Sequence, residues 1–101
     1  MYRLEPGSGR EFHRLFVEEA APMLERWSVQ VVAHGPSADD DDVYHLVRAY
    51  PSLEELRSSQ DAFYGSDEWR QGPREAIVSL IEDHISVVVP ASSLAAPASD
   101  A

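Results

Sequence analysis

Residues 43–56, VYHLVRAYPSLEEL, change period midway, and that change limits the folds open to this chain more than any other feature. The first half alternates as a half-buried strand does. The second half recurs every three or four residues, as an amphipathic helix does. Pro51 and Ser52 stand at the join, and Ser52 followed by Glu55 is a capping box, in which each side chain satisfies a free amide of the first helical turn. A strand that passes at once into a helix turns the chain from a sheet onto a helix layer, so both kinds of element share one core.

The same signals place the other elements. Tyr2 to Leu4 is a short strand closed by the turn residues EPGSG. Ser8 with Glu11 predicts another capping box, and the helix behind it carries Phe12, Leu15, Phe16, Ala20, Met23, Leu24 and Trp27 on one stripe. Pro22 inside that stripe removes a backbone donor and crowds the Glu18 carbonyl, which predicts a kink. SVQVVAHG and VYHLVRAY are β-branched runs joined through PSADDDD, a hairpin with a long acidic loop. The helix from Ser52 carries Leu53, Leu56, Gln60, Phe63 and Tyr64 and stops at Gly65. SDEWRQG adds a turn or two, and Pro73 opens a third helical stretch with Ala76, Ile77, Leu80 and Ile81. HISVVVP closes the pattern as a strand.

Strand, helix, strand, strand, helix, strand is a β-α-β-β-α-β order. It predicts an α+β, ferredoxin-like split βαβ fold, a four-stranded antiparallel sheet with both helices on one face. The domain covers residues 1–90, and 91–101, small, polar and without periodicity, read as a flexible C-terminal tail.

A chain of 101 residues makes one small domain, which often completes its core with a partner. Eighteen acidic residues against eight basic ones give a net charge of −10, which repels phosphate backbones and anionic membrane surfaces, so nucleic acid and membrane partners are excluded. All eight basic residues are Arg and there is no Cys, which excludes lysine chemistry, thiol nucleophiles, disulfides and thiolate metal sites. No apolar run has the length of a signal peptide or a membrane span, so a cytoplasmic location is expected.

The third strand sets Val43, His45, Val47 and Ala49 against Tyr44, Leu46, Arg48 and Tyr50, and the last strand sets Ile85, Val87 and Val89 against Ser86 and Val88. Neither face is polar. Helices cover only one face, so the other needs a second apolar surface, and a homodimer stacked sheet to sheet supplies it.

The run VYHLVRAYPSLEELRSSQDAFYGSDEW resembles the signature of NIPSNAP-like proteins. His45 and Leu46 stand as its His-Leu pair, followed by Tyr50, the Ser52-Leu53 helix start, Arg57 and the acidic-Trp pair Glu68-Trp69. LEPGSGREFHRLF…PMLER is similar to the family's first turn and helix, with Pro22 as its internal proline. The resemblance spans about residues 2–90. It implies a dimeric α/β-barrel of ferredoxin-like protomers, with a small pocket in each. The family's first strand is longer than Tyr2–Leu4, and its Trp shortly after the His-Leu pair is replaced by Val47 and Arg48.

Candidate chemistry centres on the third strand. An imidazole can move a proton near neutral pH and an Arg can hold a carboxylate or enolate, which makes His45, Tyr44 and Arg48 the candidates, His45 or Tyr44 as acid or base. Alternation forbids His45 from sharing a face with Tyr44 and Arg48, so one set lines a pocket and the other packs elsewhere. Tyr50, His34 and Trp69 are further ligand-binding candidates. His34 could meet His45 across the hairpin as half of a metal site, but no third ligand stands at metal spacing, so no metal and no cofactor is expected. His13 falls on the polar side of the first helix and reads as a surface residue. Asp39 to Asp42 lack the alternation and the Gly of a calcium loop and read as a solvated turn. Serines are helix caps, without a nucleophile elbow. The superfamily that the resemblance implies includes cofactor-free monooxygenases, haem-degrading enzymes, lactone isomerases and proteins without a known reaction; several of its oxygenases use a pocket Asn with Trp or His, and this chain has no Asn.

Three functional readings stay open. One is a binding protein for a small apolar or aromatic metabolite. Another is a cofactor-independent monooxygenase or isomerase acting on an aromatic or polyketide-like compound; a purely structural dimerisation module is the third. A cavity of roughly 300 Å³ or more lined by His45 or Arg48 separates the first two from the last.

Overall fold

The computed structural model describes residues 1–94. Strand β1 (Tyr2–Leu4) leads into helix α1 (Gly9–Leu15), which continues through a π-helical turn (Phe16–Ala20) into α2 (Ala21–Arg26). The hairpin β2 (Gln30–Pro36) and β3 (Val43–Ala49) follows, then α3 (Leu53–Tyr64), α4 (Asp67–Gln71), α5 (Arg74–Val78) and β4 (Ile81–His84). The sheet has four strands in the order β2-β3-β1-β4, and every pairing is antiparallel. This is the ferredoxin-like order, with the helices on one face as the element sequence predicts.

The core lies between α1–α2 and the sheet: Phe12, Leu15, Phe16, Ala20, Met23 and Leu24 pack on Leu4 and Tyr44, with Val29, Phe63, Trp69 and Ile77 around them. Tyr2 is opposite Tyr44 on one side and His84 on the other, which sets the helix-facing row across the centre of the sheet.

Several local readings change. Ser8 does stand at the N-cap of α1, but its hydroxyl donates to the Glu5 carbonyl at 2.6 Å and does not cap. The Asp42 carboxylate caps instead, accepting from the Gly7 amide at 2.9 Å and the Gly9 amide at 3.1 Å. The acidic loop is therefore not only solvated; its last residue locks the hairpin to the helix start. That approach is so close that a Cβ at Gly9 would collide with the Asp41 carbonyl.

Pro22 produces a π turn and not a simple kink: the Ala21 amide donates five residues back, to Phe16. α5 ends at Val78, so Leu80 and Ile81 leave the helix and Ile81 opens β4. The last strand accordingly covers Ile81–His84 and not residues 84–90. Pairing with β1 explains the shift, because Leu4 takes Ile81, Arg3 takes Asp83 and Tyr2 takes His84, and the backbone of Ile85 makes the last link, with Met1. Ile85, Val87, Val88 and Val89 beyond it are exposed. Of the expected tail, Ala91–Leu94 is a 3₁₀ turn, and residues 95–101 lie outside the described residues.

α2 ends with Ser28 at φ 60°, its amide on the Glu25 carbonyl and the Val29 amide on Leu24, the left-handed stop that Gly ordinarily makes. Asp42→Ala should lower the urea unfolding free energy by about 1–2 kcal/mol, the cost of a lost helix cap. Ser28→Gly should raise it by about 0.5 kcal/mol, because relief of left-handed strain outweighs the added chain entropy.

Candidate functional site

Alternation along β3 decides which candidates meet the helices. Tyr44 is fully buried, 0% exposed, with Phe12 edge-on at 4.9 Å and Phe16 at 5.7 Å between ring centres. Its hydroxyl sits between two imidazoles, 2.7 Å from His13 Nδ1 and 3.0 Å from His34 Nδ1. Burial pushes the phenol up to about 12. His34 is held below its usual value, first by burial and then by the charges of His13 and His45.

His45 is exposed and, one residue from Tyr44, belongs to the opposite face. His34 is opposite Leu46 and Gly35 is opposite His45, so the imidazole that joins His34 is His13 of α1. His13 is half-buried and hydrogen-bonded, not a surface residue. Its position next to Phe12 and one helical turn before Phe16, at the margin of the apolar stripe, is the signal that marks it. Among the described residues no three His, Asp or Glu side chains converge as metal ligands.

Arg48 and Leu46 share the helix-facing side with Tyr44. Arg48 Nη1 donates to the Tyr64 hydroxyl at 2.8 Å. Burial works against the guanidinium charge, but the hydroxyls of Tyr64, Tyr50 and Tyr2 outweigh it and hold the group above its usual value. Tyr2 is raised in turn, by burial first and then by Tyr64, with Arg48 opposing. The ion pairs among the described residues involve Arg14, Arg26 and Arg74, and none involves Arg48.

Beside this group lies a cavity of about 40 Å³ whose walls include Tyr2, Phe12, Phe16, Phe63, Tyr64 and Trp69. Trp69 is held there from two directions. Ser66 caps α4 by accepting from the Trp69 amide at 3.2 Å, and the Trp69 ring lies 5.3 Å from Phe63. Next to it, Glu68 accepts from Trp27 Nε1 at 3.0 Å and Arg26 at 3.3 Å, tying α4 to α2. The acidic-Trp pair thus has two structural tasks, one a tether and the other a cavity wall.

A second space, an open groove of about 370 Å³, runs between α2 and the edge strand β2, lined by Ala21, Glu25, Val29, Gln30, Val31 and His34. Of these two spaces among the described residues the groove is the one that reaches 300 Å³, and of the sequence candidates His34 alone lines it. Arg48 contacts the small cavity through its partner Tyr64, and His45 lines neither space.

A solved structure described as an uncharacterized NIPSNAP domain protein from Burkholderia xenovorans matches this chain with a TM-score of 0.72 and 22% identity, covering 88% of this chain and 87% of that one. The chain therefore has the fold of a NIPSNAP domain. No protein-family model and no curated protein matches it. No helix among the described residues is long and apolar enough to cross a membrane.

A phenol whose folded value lies above its ordinary one adds stability below the ordinary value and loses it as pH rises through the folded value. Stability should therefore fall between pH 10 and about 12, and Tyr44→Phe should flatten that fall, as measured by urea unfolding across the alkaline range.

Proposed function

We propose that this chain is a NIPSNAP-type domain that binds a small aromatic or apolar anion between the sheet and the α3–α4 helices, and that it works as a homodimer. The observation that carries the reading is Arg48. It is a half-buried guanidinium, tethered to a tyrosine hydroxyl at the edge of an aromatic-walled cavity, with no carboxylate partner among the described residues. A buried charge without an opposite charge is costly, and an anionic ligand lowers that cost. The aromatic walls supply the rest of the binding energy through apolar burial and ring contacts.

A space of about 40 Å³ admits little more than a water molecule, so the ligand enters by displacing an element. α3 is the element built to yield: along its length only Phe63 is buried, and Leu53 is 57% exposed. An element with one fully buried side chain belongs to the low-stability end of a domain. Tyr44 and His45, the acid and base candidates of β3, lie on opposite faces, which favours binding over catalysis at this site.

The dimer reading rests on the uncovered side of the sheet. Val43, Val47 and Ala49 alternate with the buried Tyr44, and Val32, Ile85 and Val87 are exposed at 58%, 57% and 76%. A second copy facing this side removes that surface from water for both protomers.

Tryptophan fluorescence titrated with 1-naphthoate should report saturable binding. Arg48→Gln should weaken it about tenfold or more, the loss expected for one charged hydrogen bond, and leave binding of the neutral 1-naphthalenemethanol unchanged. Equal affinity of the two proteins for 1-naphthoate would sink the Arg48 reading. Sedimentation equilibrium should give a dimer, and Val47→Glu a folded monomer; a wild-type monomer at micromolar concentration removes the homodimer.

A further inference from the structure

The hydroxyl of Tyr44 has one hydrogen and two imidazole neighbours, and that inequality dictates tautomers. The O–H can donate to only one Nδ1; at the other, the ring must carry its own Nδ1–H and donate to the oxygen. The alternative, two bare nitrogens facing one oxygen, leaves a lone-pair clash beside a fully buried ring. His13 and His34 therefore take opposite tautomers when neutral. The shorter contact, His13 at 2.7 Å, and the longer, His34 at 3.0 Å, form one continuous chain through the phenol. Each ring keeps its Nε2 free of that chain. His34 is exposed and lines the groove of about 370 Å³ between α2 and β2.

The geometry points to a proton relay, His13–Tyr44–His34, that serves the groove as an acid–base site for a small enolisable carbonyl compound. This goes beyond the Arg48 reading and is independent of it, since none of the relay residues lines the small aromatic cavity and the groove is a separate space. The lining suits such a ligand: Val29, Val31 and Ala21 accept an apolar body, and Gln30 can hold an oxygen.

The step balances without a cofactor. His34 Nε2–H gives its proton to the carbon of an enol, and the C=C bond becomes C–C as the oxygen begins to form C=O. The Tyr44 O–H passes its proton to His34 Nδ1, the His13 Nδ1–H passes to the phenol oxygen, and His13 Nε2 takes a proton from a water molecule, leaving a hydroxide that recovers the proton when the chain resets. His34 Nε2, now bare, removes the proton from the ligand's O–H, and the three transfers run backwards to restore the first arrangement. The net change is one 1,3-proton shift. His34 is the catalytic residue. Tyr44 and His13 act through it and are positioning residues. The titratable groups that face His34 are His13 from α1, Glu25 from α2 and Tyr44 from β3, and the charge of His45 reaches it from the other side of the sheet. Partial desolvation where the ring packs against Phe16 and Tyr44, and then charge on His13 and His45, hold His34 below its usual value, which favours the neutral form the relay needs.

Two measurements test this. Long-range ¹H–¹⁵N spectra of the histidine rings at pH 8 should show one of His13 and His34 protonated at Nδ1 and the other at Nε2. In Tyr44→Phe, which keeps the packed ring, both should carry the proton at Nε2, the form water favours. The same tautomer on both rings in the wild type would overturn the relay. Ketonisation of enol-phenylpyruvate, followed by its ultraviolet absorbance, should run faster with the wild type than in buffer. His34→Ala should reduce it to the buffer rate, and Tyr44→Phe should lower kcat at least tenfold with KM little changed. A wild-type rate equal to buffer, or a Tyr44→Phe rate equal to wild type, would remove the proposal.

Discussion

A tyrosine hydroxyl placed at the centre of an apolar core has to be satisfied, and much of this structure is arranged around doing so. Tyr44 is fully buried where the strand pairs with Tyr2, under the rings of Phe12 and Phe16. An unsatisfied hydroxyl there would cost about 1–3 kcal/mol, so α1 must bring His13, and the β2 edge must bring His34, to within hydrogen-bond reach. Those two demands fix the rotation of α1 about its axis and the register of the hairpin together. The bulge in β2, between Val31 and Ala33, belongs to the same adjustment, because it sets the strand register that puts His34 opposite Leu46 on the Tyr44 face.

The helix layer is unevenly bound as a result. α1, the π turn and α2 together present six buried apolar residues to the sheet and are pinned at their start by Asp42 and at their end by the left-handed stop at Ser28. α3 carries one buried residue, Phe63, and leans on α4 through the Phe63–Trp69 contact. α4 in turn is tied to α2 by Glu68. The small cavity lies where the rigid and loose parts meet, with Phe12 and Phe16 from one and Phe63 and Tyr64 from the other. There, ring-lined space can widen without breaking the first helix from the sheet.

Where sequence logic was local it transferred well. Ser52 and Glu55 give a cap at 3.1 Å because the contact spans three residues and nothing else competes for the hydroxyl. The identical pattern at Ser8 failed because Asp42, more than thirty residues away, brings a charged acceptor that outcompetes a hydroxyl, and Ser8 then turns back to Glu5. Alternation correctly divided Tyr44 and Arg48 from His45. It placed the last strand too late, since the valines after His84 read as a strand while only Ile81 to His84 find β1 to pair with. His13 was hidden for a related reason: helical spacing puts it at the stripe's margin, and only the depth of Tyr44 beneath it turns a marginal position into a buried contact. The cavity and the groove had no signature, because each depends on distances between elements.

The π turn shows how a strict spacing can require an irregular backbone. Phe12, Phe16, Ala20 and Leu24 repeat every fourth residue, and on a regular helix each such step advances about 40° beyond a full turn. Over the series the stripe would rotate away from the sheet and leave Ala20 or Leu24 facing solvent. All of them are buried. Widening one turn, so that the Ala21 amide reaches Phe16 and not Val17, absorbs a residue and swings the later positions back over the core. Pro22 makes the exchange inexpensive: with no amide of its own to satisfy, it removes one of the bonds that a regular helix would have had to break. Retaining that stripe brings Ala20 and Leu24 onto the wall of the small cavity and Ala21 to the floor of the groove, so a single backbone irregularity shapes both candidate sites.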